Sequence, residues 1–242
     1  MTYCLGILLK QGLVLAADSR TNAGVDQIAL VRKLAFFTQP DSRMLALASA
    51  GNLATTQAVT TLLRQRLDSG GAGDLFTAGT MFDAARIIGD TLREVLDHDG
   101  EHVNPHGDPT GSFLLAGQLK GGQHRLFQIY PAGNFIEASP ETPFLQIGET
   151  KYGKPILDRL VDHELDLPGA SKCALISMDA TMRSNLSVAP PIDLLCYQAG
   201  SLKPETYQRL DGRDPYFRRL TTTYSRGLGR LFDRLADPPW LE

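Results

Sequence analysis

Cysteine is scarce in this chain. Cys4, Cys173 and Cys196 are the only three in 242 residues. They are widely spaced and odd in number, with no CxxC pair, so no disulfide framework is expected and a reducing compartment suits the chain. A surplus of one charge is missing too: 24 Lys and Arg stand against 27 Asp and Glu, a net charge of −3. That balance gives no broad basic surface, which general nucleic-acid binding requires. No apolar run is long enough to cross a bilayer. No basic segment precedes the short apolar stretch after Met1, so no secretory signal is expected and the cytoplasm is the expected location. Internal repeats, low-complexity tracts and linkers are absent as well. What is present, 43% hydrophobic and 21% charged residues, is enough for a sizeable core in one domain spanning 1–242.

The pattern opens on sheet. Tyr3–Leu9 and Leu13–Ala17 are apolar runs joined by Lys10-Gln11-Gly12, a hairpin signature, and Leu34–Thr38 and Met44–Ala48 form a second pair around Gln39–Ser42. Helical spacing follows over Asn52–Leu67, closed by Gly70-Gly71, and again over Leu75–Leu96. A polar loop is expected over Asp97–Pro109, then strands at Ser112–Leu119, Arg125–Tyr130 and Phe135–Ala138. Tyr152–His163 and Lys172–Arg183 read as helices, Ile192–Tyr197 as a strand and Tyr216–Leu235 as an Arg-rich amphipathic helix. Blocks of antiparallel strands and blocks of helices predict an α+β protein with helices packed on sheets.

Thr2 carries the most chemistry. A small residue after the initiator lets an aminopeptidase remove Met1, which would leave a free N-terminal threonine. Its hydroxyl needs a base, and its own α-amine, with an ordinary pKa of about 7.7–8.0, can serve. The first strand pair ends in Ala16-Ala17-Asp18-Ser19-Arg20, and Lys33 leads into the next strand. A lysine ammonium beside Thr2 would favour the deprotonated hydroxyl, and Asp18 could hold that lysine. At Ser49-Ala50-Gly51-Asn52 a strand turns into a helix through glycine. The Gly51 N–H there could stabilise an oxyanion. Each feature alone also fits a bland role: a small second residue, a surface ion pair, an ordinary turn.

Taken together, these features resemble the proteasome β-subunit family of N-terminal nucleophile hydrolases. The runs MTYCLGILLKQGLVLAADSRTNAGVD, GETKYGKPILDR and SMDATMRSNLSV are similar to its bacterial Anbu group. The resemblance implies a four-layer αββα sandwich. It implies Thr2 as nucleophile, Asp18 and Lys33 as the activating pair, Gly51 as oxyanion donor and Ser187 as an accessory serine at the amine. It also implies a specificity pocket of Thr21, Val31, Ser49 and Leu53, suited to a medium apolar side chain. Peptide or protein substrates, a ring or spiral homo-oligomer and no cofactor follow from it; any unfoldase or adaptor would be a separate protein. Ser184 and Glu149 depart from the family pattern, which has an Asp three residues before the accessory serine and a further Ser after a Gly. A slow peptidase is therefore expected. Two other readings stay open: an amidase acting on a small amide, and a scaffold that keeps the fold with weak or no hydrolysis.

Three further features have simpler explanations. Gly148–Pro155 nearly matches a P-loop, but Pro155 stands where a hydroxyl is needed, and Pro at a helix start accounts for the same residues. His98, His102 and His106 lie among acids, as they would in a solvated loop, so no metal site is expected. Asn185-Leu186-Ser187 matches a glycosylation sequon, which matters only in a secreted chain.

Overall fold

The structure is a computed structural model that describes residues 1–23, 27–70, 73–204 and 206–240. Its first strands, β1 (Tyr3–Leu9) and β2 (Gly12–Asp18), are buried at every position. Continuous burial requires cover on both faces of the sheet. Along β1, Tyr3, Leu5, Ile7 and Leu9 point one way, into a core shared with helices. Cys4 and Leu8 point the other way, into a core shared with a second sheet. The period of two is what divides the strand between the cores.

After the hairpin of β3 (Arg20–Ala23) and β4 (Gln27–Leu30) come β5 (Leu34–Gln39) and β6 (Arg43–Gly51). The helices α1 (Leu53–Ser69) and α2 (Met81–Val103) follow, then β7 (Gly111–Leu119), β8 (Arg125–Ile129), β9 (Phe135–Glu137) and β10 (Phe144–Gly148). The chain closes with α3 (Lys154–Leu160), α4 (Leu167–Ser184), β11 (Ile192–Gln198), β12 (Thr206–Leu210) and α5 (Pro215–Phe232). One five-stranded sheet runs β10-β1-β2-β11-β12 and the other β5-β6-β7-β8-β9, with every pairing antiparallel. Small residues at the sheet-to-sheet contact, among them Ala17, Ala46, Ala48, Ala50 and Ala116, let the sheets approach. Helices α1 and α2 cover the outer face of the second sheet; α3, α4 and α5 lie on the side of the first. The result is the expected four-layer αββα sandwich of α+β class.

Several boundaries differ from the sequence reading. Helix α2 begins at Met81, not Leu75, because Thr80 caps it by accepting the Asp83 N–H. Leu75 and Ala78 still fill the core from the turn before it, which is why the apolar spacing ran on. At its other end α2 continues through His98 and His102 to Val103, where a polar loop was expected. Those residues form a solvated helix face; the loop starts only when Asn104-Pro105 interrupts the helix. Helix α3 is shorter than expected and α4 longer at its start. Pro155 stands in the first turn of α3, and Asp166 caps α4 by accepting the Gly169 N–H. Strands β3, β4, β10 and β12 were not foreseen. No helix among the described residues is long and apolar enough to cross a membrane.

Tyr3 ties the site strand to the helical layer. It is fully buried; its hydroxyl accepts from Gln146 Nε2 at 2.5 Å and bonds Ser177 Oγ at 2.7 Å. Burial pushes the phenol up to about 12. Tyr3→Phe removes both bonds, leaving Ser177 only the Gly153 carbonyl and Gln146 only the Thr150 carbonyl, and is expected to lower stability by about 1–3 kcal/mol, measured by urea unfolding. An unchanged midpoint would show that the hydroxyl bonds are not needed for stability.

Candidate active site

Thr2 sits immediately before β1, where the two sheets open onto a cleft. The fold holds it by one peptide group. The Thr2 carbonyl accepts the Glu149 N–H at 2.7 Å, and the next N–H, from Tyr3, donates to Asp18 Oδ1 at 2.9 Å. Pairing of β1 with β10 sets this up, because Tyr3 lies opposite Gly148. Gly148 has φ +82°, and a Cβ there would stand 2.0 Å from the Thr2 carbonyl oxygen. Glycine is thus required both for the backbone angle and for the close approach.

Asp18, at the end of β2, is fully buried. It accepts from Tyr3, from the Arg20 N–H at 3.1 Å, from the Ala189 N–H and from Lys33 Nζ at 2.8 Å. Burial pushes its carboxyl above the usual carboxylate range, and the Lys33 ammonium opposes that shift. Lys33 is itself buried and also donates to the Arg20 carbonyl at 2.6 Å. Two acceptors fix its ammonium at the wall of the cleft. Cys4, next to the clamped peptide, is no rival nucleophile. Burial raises its thiol pKa, and Sγ donates toward the Ser49 carbonyl.

The cleft has a volume of about 530 Å³, and Thr2, Lys33 and Gly51 share its lining. Gly51 ends β6 with φ +110°, and a Cβ there would meet the Thr110 carbonyl at 2.5 Å. Asn52 then caps α1 by accepting the Ala54 and Thr55 N–H groups. Thr21, Val31, Ser49 and Leu53 line the same cleft. Seven side chains or backbones singled out in the sequence therefore meet at one place. Ser187 does not join the lining. It lies half-buried in the loop after α4, its N–H donating to Asn185 Oδ1 at 2.9 Å.

Sequence reasoning missed Asn185. Its Nδ2 donates to Glu149 Oε2 at 3.0 Å, and Glu149 is buried beside the Thr2 carbonyl. Ser184, one residue earlier, is exposed at the end of α4. Arg32, Arg64, Gln57 and Tyr207 also line the cleft and were not foreseen. The spacing of Leu53, Gln57 and Arg64 along α1 was the available signal. The P-loop-like run is closed: a Cβ at Gly153 would lie 2.3 Å from Ser177 Oγ and 2.4 Å from the Tyr3 hydroxyl. Among the described residues no three His, Cys, Asp or Glu side chains converge as metal ligands.

Comparison with known proteins bears on the family and the fold. The family profile described as Proteasome subunit matches residues 2–194. The structure of Anbu (ancestral beta-subunit) from Yersinia bercovieri superposes with a TM-score of 0.93 at 47% identity, covering 98% of this chain and 99% of that one. The helical assembly of the Anbu complex from Pseudomonas aeruginosa gives 0.94 at 48% identity, covering 98% of each chain. Anbu from Hyphomicrobium sp. strain MC1 gives 0.90 at 45% identity, over 98% and 99%. No curated relative matches the chain. A nearly complete superposition at such identity, together with a family match that begins at Thr2, places this chain in the proteasome subunit family, with the N-terminal nucleophile hydrolase fold of the Anbu proteins.

Proposed function

We propose that the protein is a threonine-type hydrolase of peptide or related amide bonds, with Thr2 as nucleophile after removal of Met1. The clamped Thr2–Tyr3 peptide beside the buried Asp18–Lys33 pair is the observation that carries this reading. Met1 is exposed, so an aminopeptidase can reach it. The freed α-amine accepts the hydroxyl proton as Oγ attacks the scissile carbonyl. The Lys33 ammonium lowers the cost of the developing alkoxide, and Asp18 holds Lys33 in place. The tetrahedral oxyanion takes the Gly51 N–H. Collapse expels the amine, which leaves with the transferred proton. Water, activated by the same α-amine, then hydrolyses the ester. Ser187, and the Glu149–Asn185 pair behind the Thr2 carbonyl, would order the amine. Thr21, Val31, Ser49 and Leu53 form the pocket for the side chain next to the scissile bond. No cofactor is required by these steps.

The chain is also proposed to act as a homo-oligomer in the cytoplasm. A relative 48% identical is described as a helical assembly, and heterologous contacts between copies give rings or open helices. Enclosure would supply selectivity that an exposed N-terminal nucleophile lacks. Intact mass, light scattering and peptide hydrolysis on one preparation test the whole reading. Activity should track the fraction lacking Met1 and reside in the large species. Full activity with Met1 retained would overturn the mechanism, and a stable active monomer would overturn the compartment.

A further inference from the structure

The wall of the cleft has a charge opposite to that of the chain. Along α1 the residues facing it are Leu53, Thr56, Gln57, Thr60, Thr61 and Arg64, one helical stripe at spacings of three and four. Arg32 and Tyr207 line the same cleft. Among the described lining residues there is no Asp or Glu, although the chain as a whole carries a net charge of −3. Of the three cations present, Lys33 is committed to Asp18. Arg32 and Arg64 are both exposed, and neither forms a salt bridge among the described residues. The Arg64 guanidinium lies over the Phe37 ring, 6.0 Å from its centroid, which limits where it can point. Behind the wall lie Asp18, held by Lys33, and Asp193, which is fully buried. Asp193 is the one reached through Tyr207. It is already bonded by Arg209 at 2.8 Å, by the Tyr207 hydroxyl at 2.6 Å and by Ser19.

Position along the cleft gives these arginines a register. Leu53 stands at the Thr2 end of α1, and Arg64 is eleven residues further on. At a rise of about 1.5 Å per residue that is roughly 16 Å. An extended peptide covers the same distance in about five residues. Arg32, adjacent to Lys33 in sequence, marks the near end.

We propose that the cleft is a track for acidic peptides. Carboxylates on the substrate would meet Arg32 close to the scissile bond and Arg64 about five residues away. An apolar side chain still enters the Val31 and Leu53 pocket between them. The hydroxyl and amide groups of Thr60, Thr61 and Gln57 can bond the peptide backbone without selecting sequence. This inference rests on the hydrolase reading for its substrate, but its test does not need turnover.

The test uses full-length Thr2→Ala protein and two fluorescein-labelled octapeptides. They share one apolar residue, and their remaining positions are all Glu in one and all Gln in the other. Fluorescence anisotropy at low salt should show the Glu peptide binding about ten-fold tighter or more. Arg64→Glu and Arg32→Glu should each cut that preference by about three- to ten-fold, and 0.5 M salt should largely remove it. Arg219→Glu, on the exposed side of α5, should leave it in place. Melting temperatures confirm that each variant is folded. Equal binding of the two peptides, binding of neither, or a preference that survives both arginine reversals would overturn the proposal. Cleavage of the same peptides by wild-type protein separates the two readings. Selective binding without Thr2-dependent cleavage would sink the hydrolase alone, and Thr2-dependent cleavage that favours the Gln peptide would sink the acidic track alone.

Discussion

Thr2→Ala is expected to abolish hydrolysis while leaving fold and assembly unchanged. The fold grips residue 2 through its backbone, by the Glu149 N–H on its carbonyl and the Asp18 contact to the next N–H. Removing the hydroxyl disturbs neither bond. Alanine is also small enough for Met1 to be removed, so the variant differs from wild type only at the nucleophile. Loss of a covalent nucleophile should lower kcat by at least about 10³-fold. Thr2→Ser, which keeps a hydroxyl and the α-amine, should retain measurable turnover. Acetylating the α-amine of wild-type protein should silence it as fully as Thr2→Ala, because the base and the nucleophile belong to one residue. Turnover by purified Thr2→Ala protein within ten-fold of wild type would transfer the chemistry to another group.

Much of the first third of the chain was legible because its contacts are local, although the short β3–β4 hairpin was missed. Strands β1, β2, β5 and β6 pair through short turns with sequence neighbours, and α1 announces itself with the Asn52 cap and the Gly70 stop. Thr2, Asp18, Lys33 and Gly51 all lie in this region, so their order in sequence nearly foretells their meeting. Strand β10 was invisible for the opposite reason. Its partner, β1, lies more than a hundred residues away, and Gly148 opposite Tyr3 is meaningful only once the two are paired. Strand β12 alternates exposed with half-buried positions, but three of its five residues are polar, so no apolar alternation marks it in the sequence. The Glu149–Asn185 bond likewise joins distant segments. Sequence reading reached Ser184 by family spacing and stopped one residue short. Arg64 and Tyr207 belong to the cleft only because α1 and β12 pack along its walls.

Lys33 is where burial changes the expectation most. On sequence grounds, Lys33→Ala should slow the reaction and leave the fold intact. In the structure it would leave Asp18, fully buried, without its ammonium. Removing one member of a buried pair costs about 3–5 kcal/mol. The low end applies here, since Asp18 keeps the Tyr3, Arg20 and Ala189 N–H donors and can escape by taking a proton. That escape gives the loss a pH signature. Burial already raises the Asp18 carboxyl, and without Lys33 it rises further. The folded variant then binds more protons than the unfolded chain, so its stability falls as pH increases. The deficit against wild type should be small near pH 4, below or close to the unfolded pKa of about 3.9, and complete by neutrality. Urea unfolding of both proteins across that range measures it. The double variant Asp18→Asn/Lys33→Met removes both charges. It should recover most of the stability at pH 7 yet remain inactive, because catalysis needs the ammonium and stability needs only that no charge be stranded. A Lys33→Ala protein with wild-type turnover would remove Lys33 from the mechanism. One with an unchanged urea midpoint at pH 7 would show that water entering from the cleft solvates Asp18 in its place.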